Sequence, residues 1–194
     1  MYNIMERAYT EDMKFEKIDF VKTALMHGDY ENCEFVTCNF ANTTLADRNF
    51  SECLFTGCNL TMAGLAKTVF NDCRFVNCKL VGVRFEDCNQ ILFTVHFDTC
   101  VLDIASFYKC TLKSTTFRKT SAREADFTDA DLTGSNFDSC DLANAKFENT
   151  VLEKVDFRTA INYTIDPEIN QVKKAKFSSN GIMGLLSKYD IHIE

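Results

Sequence analysis

The sequence predicts a repeat solenoid, and its apolar pattern carries the prediction. A large apolar residue recurs at every fifth position from Phe15 to Phe85 and, after a two-residue slip, from Leu92 to Phe157, with Ala122 as the one exception. A period of five fits neither the period of an α-helix nor the alternation of a flat strand. Self-similarity over most of a chain is typical of stacked repeats. With 194 residues, one Pro and seven Gly, the chain offers no obvious linker and fits one elongated domain.

The repeating unit is a pentad with the order small, polar, large apolar, polar and any residue. Clear examples are residues 38–42 (CNFAN) and 130–134 (ADLTG). Over residues 13–159 the chain resembles the pentapeptide-repeat family. The resemblance implies an all-β, right-handed quadrilateral β-helix with one pentad per side and four per coil. In such a coil the large residue, and the small residue two positions before it, point inward.

Four pentads per coil predict that residues four pentads apart stack on one side of the solenoid. We take Gln90 and Ile91 as a two-residue insertion, so that Leu92 becomes the next core residue. One side then carries phenylalanine in every coil, at Phe15, Phe35, Phe55, Phe75, Phe97, Phe117, Phe137 and Phe157. This column supports a winding of four pentads per coil. A core volume that stays nearly constant from one coil to the next also suits close packing.

The regular repeat predicts three segments: an N-terminal cap over residues 1–12, the β-helix over 13–177 and a C-terminal module over 178–194. The last coil should be irregular, because the pentads degenerate after Phe157 although Val172 and Phe177 stay in register. In the module, an i, i+3, i+4, i+7 apolar stripe predicts a short α-helix, followed by a short extended segment over 191–193. We expect this helix to cap the open solenoid end and to join two copies into a homodimer through Ile182, Leu185, Leu186 and Tyr189.

The ten cysteines all occupy the inward small position of a pentad. Stacked coils lie about 4.8 Å apart, which exceeds the Cβ separation of about 3.8 Å that a disulfide prefers. Parallel thiols also do not converge on a tetrahedral metal. We therefore predict buried, inert thiols and no metal or cofactor, with a metal or redox role for the cysteine columns as a remote alternative.

The sequence offers no catalytic constellation. Its three histidines, His27, His96 and His192, are far apart in the repeat register, and none is flanked by a matching nucleophile. A glycine-rich phosphate-binding loop is also missing from the sequence. The chain is predicted to be a binding or structural protein rather than an enzyme.

The acidic residues supply the candidate partner-binding surface. A formal net charge of −7 argues against direct nucleic-acid binding. Four acids, Asp29, Glu31, Glu52 and Asp72, stack on one side without obvious cationic partners, and we call them the acidic stripe. With the insertion at Gln90 and Ile91, they form the predicted contact surface, and an ordinary solvated acidic patch is the alternative.

Charges on the phenylalanine side follow a different pattern. They alternate in sign from one coil to the next, at Asp98, Arg118, Asp138 and Arg158. Ion-pair ladders of this kind would fix register and neutralise the surface. This pattern favours a competing function, a structural or interaction scaffold with an unrelated protein partner.

The end of the chain, in residues 174–177 (KAKF) and 184–191 (GLLSKYDI), resembles the quinolone-resistance subgroup of pentapeptide-repeat proteins. That resemblance implies two β-helices joined tail to tail into a rod with the dimensions and charge of duplex DNA. It also implies binding to a type II topoisomerase, with DNA gyrase or topoisomerase IV as the leading named partner. The chain departs from many members of the subgroup because it lacks their long projecting loops and has only the insertion at Gln90 and Ile91.

Location follows from two further observations. No segment approaches the roughly 18 apolar residues of a membrane span. Residues 1–7 lack the apolar region of a secretory signal. We expect a cytoplasmic protein without membrane contact.

Overall fold

The structure is a computed structural model that describes residues 7–189 and 191. Residues 1–6 of the predicted cap lie outside the described residues. The same holds for residues 190 and 192–194 of the C-terminal module, and with them for His192 and most of the expected extended segment.

The described chain winds into a right-handed, four-sided parallel β-helix, as the resemblance implied. Two of its sides are formed by sheets. A four-stranded sheet contains, in spatial order, β1 (Ala8–Glu11), β3 (Gly28–Glu31), β5 (Asn49–Ser51) and β7 (Val69–Asn71). A seven-stranded sheet contains β2 (Lys14–Glu16), β4 (Glu34–Val36), β6 (Leu54–Thr56), β8 (Cys73–Val76), β9 (Val95–Asp98), β10 (Thr116–Arg118) and β11 (Asn136–Asp138).

The strands pair in parallel with the residue one coil away. Phe35 pairs with Phe55, four pentads on, whereas Phe75 pairs with Phe97 because two extra residues intervene. The other two sides carry single bridges such as Asn39 with Asn59. The predicted spacing of four pentads per coil, with one interruption, is therefore confirmed.

The corners depend on residues in the left-handed region of backbone conformation. Asn42, Asp129 and Gly134 are examples, with φ of 56°, 57° and 72°. Glycine adopts this conformation at no steric cost, and Asn and Asp tolerate it better than other residues. The fifth position of the pentad is thus variable in sequence but constrained in backbone geometry.

Stacked aromatic rings form the core. Phe117 and Phe137 have ring centroids 4.5 Å apart with planes only 1° from parallel, and Phe127 meets Phe137 edge-on from the neighbouring side. The column continues to Phe177, whose ring stacks on that of Phe157 at 5.4 Å. Phe177 thus lies in the phenylalanine column of the last coil.

The last coil is irregular around residues 162–165. Tyr163 turns inward although Asn162 holds the large-residue position of the pentad. The Tyr163 ring lies against Gly181 and Gly184, where any Cβ atom would clash with it. The amide of Ile165 donates to the carbonyl of Gly184 at 2.9 Å, which attaches the C-terminal module to the solenoid.

That module contains one α-helical turn, α1 (Met183–Leu186), continued by a 3₁₀ turn over Ser187–Tyr189. A further 3₁₀ turn lies at Phe85–Asp87, just before the two extra residues. Within residues 7–189 and 191, no helix combines the length and apolar character needed to cross a membrane.

Candidate interaction surface

The acidic stripe lies along one edge of the solenoid, where the four-stranded sheet turns into the seven-stranded one. Asp29 and Glu31 belong to β3, on the sheet itself. Glu52 and Asp72 are corner residues with φ of 54° and 50°, and both side chains are exposed. Glu52 and Asp72 thus share one corner, and Asp29 and Glu31 lie beside it on the adjoining sheet.

Two of these acids have partners that the sequence did not reveal. The guanidinium of Arg7 pairs with the Asp29 carboxylate. The hydroxyl of Tyr9 donates to Glu31 at 2.6 Å. The expectation that the whole stripe lacks cationic partners is wrong for Asp29. Arg7 and Tyr9 lie in the segment taken as a cap, so they were not considered as partners of the stripe. In the structure Tyr9 nevertheless stands four pentads before Asp29 and pairs with it in the sheet.

Glu52 and Asp72 keep free charges. Among the described residues, no Lys, Arg or His group lies within ion-pair distance of either carboxylate. The same corner also holds Asp12, which the sequence analysis missed, and the side-chain amide of Asn32 donates to it at 2.5 Å. The interval of four pentads places positions 12, 32, 52 and 72 in one column, so this signal was available in the sequence.

The two extra residues form a bulge over residues 90–94, directly beyond Asp72. The Thr94 amide donates to the carbonyl of Phe70 at 2.9 Å, and the Cys73 amide donates to the carbonyl of Thr94 at 3.0 Å. The bulge therefore continues the edge of the acidic stripe by one coil. Stripe and insertion form one continuous surface.

Inside the bulge the structure corrects the expected alignment. Leu92, expected in the core, is 56% exposed, whereas Phe93 is only 8% exposed and its ring lies 6.0 Å from the ring of Phe85. Ile91 is 87% exposed. The side chains that turn outward are therefore Ile91 and Leu92. Phe93 is the larger apolar group and takes the inward place, since burying it removes more apolar surface from water.

The bulge is held from beneath by Gln90, which was expected to lie within the insertion. Its side-chain amide donates to the carbonyls of Phe85 at 2.9 Å and Cys88 at 3.2 Å. The Asn89 side chain accepts from the backbone amide of Ile91 at 3.0 Å. Ile91 and Leu92 thus form an apolar knob on an anchored turn.

Beyond the bulge, the same corner changes sign. The column continues through Ser114 and Gly134 to Lys154 and Lys174, and both lysines are exposed in the left-handed corner conformation, with φ of 60° and 59°. One backbone geometry therefore carries acids in the first coils and lysines in the last. The acidic surface is confined to the N-terminal half of the rod.

The alternating charges of the phenylalanine side form only part of the expected ladder. Arg118 pairs with Asp98 across one coil. Arg158 instead pairs with Asp156 on its own coil, at 2.7 Å, so the expected pairing with Asp138 is wrong. An arginine side chain reaches a carboxylate two residues away on the same face as easily as one in the next coil.

All ten cysteines are buried with free thiols, as their inward position predicted. Their sulfurs donate to backbone carbonyls, for example Cys58 to Phe35 at 3.1 Å. Burial raises the pKa of the Cys110 and Cys140 thiols to about 12, so both are protonated and poorly nucleophilic at neutral pH. Within residues 7–189 and 191, no three His, Cys, Asp or Glu side chains are arranged to hold a metal ion.

The predicted dimerisation stripe is divided between two surroundings. Leu185 is partly buried against the solenoid core, and Leu186 is also partly covered. Ile182 and Tyr189 are 47% and 49% exposed, as is the neighbouring Met183 at 49%. One face of the helix thus caps its own solenoid, and a second apolar face remains open.

Two family models match the sequence. The model described as pentapeptide repeats (8 copies) matches residues 33–72, and the model described as pentapeptide repeat region matches residues 90–163. Together the two ranges span more than half of the chain, and the gap between them contains the coil before the bulge. The fold and these matches define a parallel β-solenoid built from five-residue repeats. The chain belongs to the pentapeptide-repeat proteins.

Solved structures of QnrB1, described as a plasmid-mediated fluoroquinolone resistance protein, have a similar fold. One trypsin-treated variant superposes with a TM-score of 0.70 at 18% identity, covering 96% of this chain and 92% of QnrB1. A second trypsin-treated variant gives a TM-score of 0.62 at 15% identity, covering 97% and 98%. At this identity the likeness establishes the fold. No curated protein sequence matches the chain.

Proposed function

We propose that this protein is a non-enzymatic interaction protein that presents the acidic stripe and the Ile91–Leu92 knob to a protein partner. The observation that carries the proposal is the continuity of the two features along one edge of the rod. Glu52 and Asp72 supply free charges, and the knob begins one coil beyond Asp72. Charged groups speed encounter and orient a partner, whereas buried apolar anchors slow its release.

The partner that fits this chemistry has a basic track next to an apolar pocket. A type II topoisomerase, DNA gyrase or topoisomerase IV, is the proposed partner, because its DNA-binding surface must carry positive charge for phosphates. The fold likeness to QnrB1 and the resemblance of the C-terminal end to the quinolone-resistance subgroup support this choice. In this role the acidic edge takes the place of a phosphate backbone.

The open face of the C-terminal helix supports a homodimer. Ile182, Met183 and Tyr189 present apolar surface at the end of the rod, and burying it against a second copy would be worth about 25 cal/mol per Å². A two-fold axis through this end would place two acidic halves at the outer ends of a double-length rod.

The structure indicates which substitutions test the dimer. Ile182→Asp together with Met183→Asp should convert a dimer to a monomer by light scattering at micromolar concentration, because both side chains lie outside the solenoid core. Leu185→Asp is unsuitable as the test variant, since Leu185 contacts the protein's own core and its loss would unfold the cap. A monomeric mass for the unsubstituted protein would reject the dimer.

Binding to the proposed partner is tested with purified gyrase and topoisomerase IV, immobilised in turn, at low and at physiological salt. We expect binding that weakens as salt rises, because screening shortens to about 8 Å at 0.15 M ionic strength. Failure to bind either enzyme at low salt would reject the topoisomerase proposal.

A structural scaffold with an unrelated partner is the second candidate function. It is favoured by the change of sign along the corner, from Asp72 to Lys174, because duplex DNA is negative along its whole length. A scaffold would leave gyrase activity untouched and would still use the Ile91–Leu92 knob.

A further inference from the structure

One corner of the solenoid is divided into two equal parts by the bulge over residues 90–94. Eight residues in the left-handed conformation mark this corner, four before the bulge and four after it: Asp12, Asn32, Glu52, Asp72, Ser114, Gly134, Lys154 and Lys174. Cys73 pairs with Val95 in the seven-stranded sheet. Thr94 of the bulge therefore stands one coil beyond Asp72, between the two groups of four. The bulge lies at the midpoint of the corner.

The two ends of this corner carry opposite charges. Asp12 and Lys174 are each four coils from the bulge, on opposite sides of it. The residues just before them, Glu11 and Lys173, are again an acid and a lysine, and all four side chains are exposed. Among residues 7–189 and 191, none of the four lies within ion-pair distance of an opposite charge. Each end of the corner thus complements the charge of the other end.

These complementary ends cannot meet within one molecule. Coils stack about 4.8 Å apart, so the eight coil steps from Asp12 to Lys174 separate them by about 38 Å along the rod. An ion pair requires no more than about 4 Å between nitrogen and oxygen. A second copy that lies beside the first and runs in the opposite direction brings both pairs of ends together at once.

We propose that two copies of this chain associate side by side and antiparallel along this corner, with a two-fold axis through the bulge. In such a contact each residue faces the residue that lies equally far beyond the axis in the second copy. Asp12 then faces Lys174 of the second copy, and Glu11 faces its Lys173. The symmetry repeats both ion pairs at the other end of the contact.

The residues between the ends and the axis suit this arrangement. Lys154 lies one coil from Glu52 of the second copy. Gly134 lies directly opposite that Glu52, and its missing side chain leaves room for the lysine to reach the carboxylate. Ser114, another small residue, lies opposite Asp72 of the second copy. Small residues therefore face the two acids nearest the axis.

The axis itself passes through the apolar knob. The Thr94 amide donates to the carbonyl of Phe70 at 2.9 Å, so the bulge stands where a regular coil would continue the four-stranded sheet. Ile91 and Leu92 are 87% and 56% exposed there, and at the axis they meet the same residues of the second copy. Burial of these side chains stabilises the pairing. The dimer thus has an apolar centre and charged ends.

The contact is weak and salt-sensitive. It covers one side of each rod, and it sets Glu31 opposite Glu153 of the second copy, a pair of like charges. Exposed ion pairs contribute little each and are screened by salt. The dimer is a property of the chain alone, but it covers the acidic stripe and therefore competes with the partner proposed above.

The geometry is tested on the full chain with a carbodiimide, which joins a carboxylate to an amine in direct contact. Unlabelled and isotope-labelled protein are mixed, so that mass spectrometry distinguishes cross-links between copies from those within one. We expect mixed-label cross-links of Glu11 or Asp12 to Lys173 or Lys174 at low salt, reduced at least about tenfold in about 0.5 M salt. The helix-mediated dimer cannot produce them, because it joins the two C-terminal ends. Their absence at about 0.2 mM protein, where even a dimer of about millimolar Kd is detectable, would overturn the proposal.

Exchanging the charges tests the complementarity. One variant carries Glu11→Lys and Asp12→Lys, and the other carries Lys173→Glu and Lys174→Asp. Asp and Lys both occur at left-handed positions of this corner, so either backbone should persist. We expect each variant alone to lose the salt-sensitive part of its self-association at least about tenfold by sedimentation, because like charges then meet. An equimolar mixture of the two should recover it, since each end again meets its opposite.

The matched control for the first variant carries Glu124→Lys and Asp129→Lys, which make the same change of charge on other corners. It should associate as the unsubstituted protein does. Undiminished salt-sensitive association of either exchanged variant alone, or no recovery in their mixture, would overturn the proposal. Neither result bears on topoisomerase binding, which is measured separately.

Discussion

Two interruptions of the regular ladder, one near the start of the solenoid and one at its middle, are repaired in opposite ways. Between the first two coils, the amides of Leu25 and His27 do not reach the carbonyls of Thr44 and Ala46, which would be their partners in a regular coil. Between the fourth and fifth coils, the two extra residues form the bulge over 90–94. The first repair lies inside the protein and the second projects outward.

Arg48 makes the internal repair. It occupies an inward small position, and its side chain is almost fully buried. Its guanidinium donates to the carbonyls of Thr44 and Ala46, both at 3.2 Å, and also to those of Leu25 and Met26. Arg48 thus supplies the donors that the missing backbone hydrogen bonds would have provided. The buried guanidinium is in turn satisfied by carbonyl oxygens, without a carboxylate partner.

The comparison shows that a pentad which departs from the repeat does not by itself change the exposed surface. A large polar residue at an inward position closed a gap in the backbone ladder, and nothing of it is available to a partner. The two additional residues kept the core continuous through Phe93 and exposed Ile91 and Leu92. Of these two interruptions, only the second adds apolar side chains to the surface.

The largest effect is expected for Arg48→Met. Removing the guanidinium leaves the carbonyls of Leu25, Thr44 and Ala46 without that donor, while Met26 keeps the hydrogen bond from Tyr30. Each buried unsatisfied group costs about 1–3 kcal/mol, so the free energy of unfolding should fall by at least ~3 kcal/mol. Denaturant unfolding measures it. Arg74→Met, at an exposed arginine, is the matched control and should change stability by less than ~0.5 kcal/mol. Similar stability of the two variants would contradict the role given to Arg48.

The bulge should respond to substitution in an asymmetric way. Phe93→Ala should cost about 3 kcal/mol because it empties a core position. Leu92→Ala should cost less than ~0.5 kcal/mol because its side chain is more than half exposed. Denaturant unfolding of the two variants checks that Phe93 occupies the core position. A larger loss of stability for Leu92→Ala than for Phe93→Ala would place Leu92 in the core instead.

The C-terminal attachment should be sensitive to acid. Lys188 lowers the pKa of both Asp166 and Glu168 below their ordinary values. A lowered folded-state pKa gives stability that is present above the unfolded value and is lost as pH falls through the folded value. The helical cap should therefore loosen below about pH 4, the ordinary carboxylate range.

Hydrogen exchange of the cap amides at about pH 3.5 and about pH 6, on either side of the ordinary carboxylate range and corrected for intrinsic rates, measures this loosening. Lys188→Met should remove most of the difference between the two pH values. An unchanged difference in that variant would assign the acid sensitivity to other groups.

The sequence predicted the parts of the structure that follow from strict repetition. The interval of four pentads located the phenylalanine column and the buried cysteines, because every regular pentad repeats one backbone geometry. It could not decide between Leu92 and Phe93, since both are large and apolar and periodicity is lost at the insertion itself. For the same reason the sequence did not predict that Tyr163, rather than Asn162, turns inward in the last coil.

Part of the candidate surface was also beyond the sequence. Asp29 pairs with Arg7, which precedes the first pentad, so no repeat position predicted their contact. Asp12, by contrast, stands in the corner column with Glu52 and Asp72 and could have been found. The stacking interval therefore finds residues that share a column, such as Asp12 and Glu52. It does not predict a contact between different columns, such as that of Arg7 with Asp29.

The central claim is that the acidic edge and not net charge alone recognises the partner. Its most direct test compares inhibition of gyrase supercoiling by the unsubstituted protein and two variants of equal charge. One variant carries Asn or Gln in place of Asp29, Glu31, Glu52 and Asp72. The matched control carries the same change at four exposed acids elsewhere, Asp47, Glu124, Asp129 and Glu148.

We expect the stripe variant to lose inhibition at least about tenfold and the control to keep it, with both folded by circular dichroism. Equal loss in the two variants, or no loss in either, would contradict the claim.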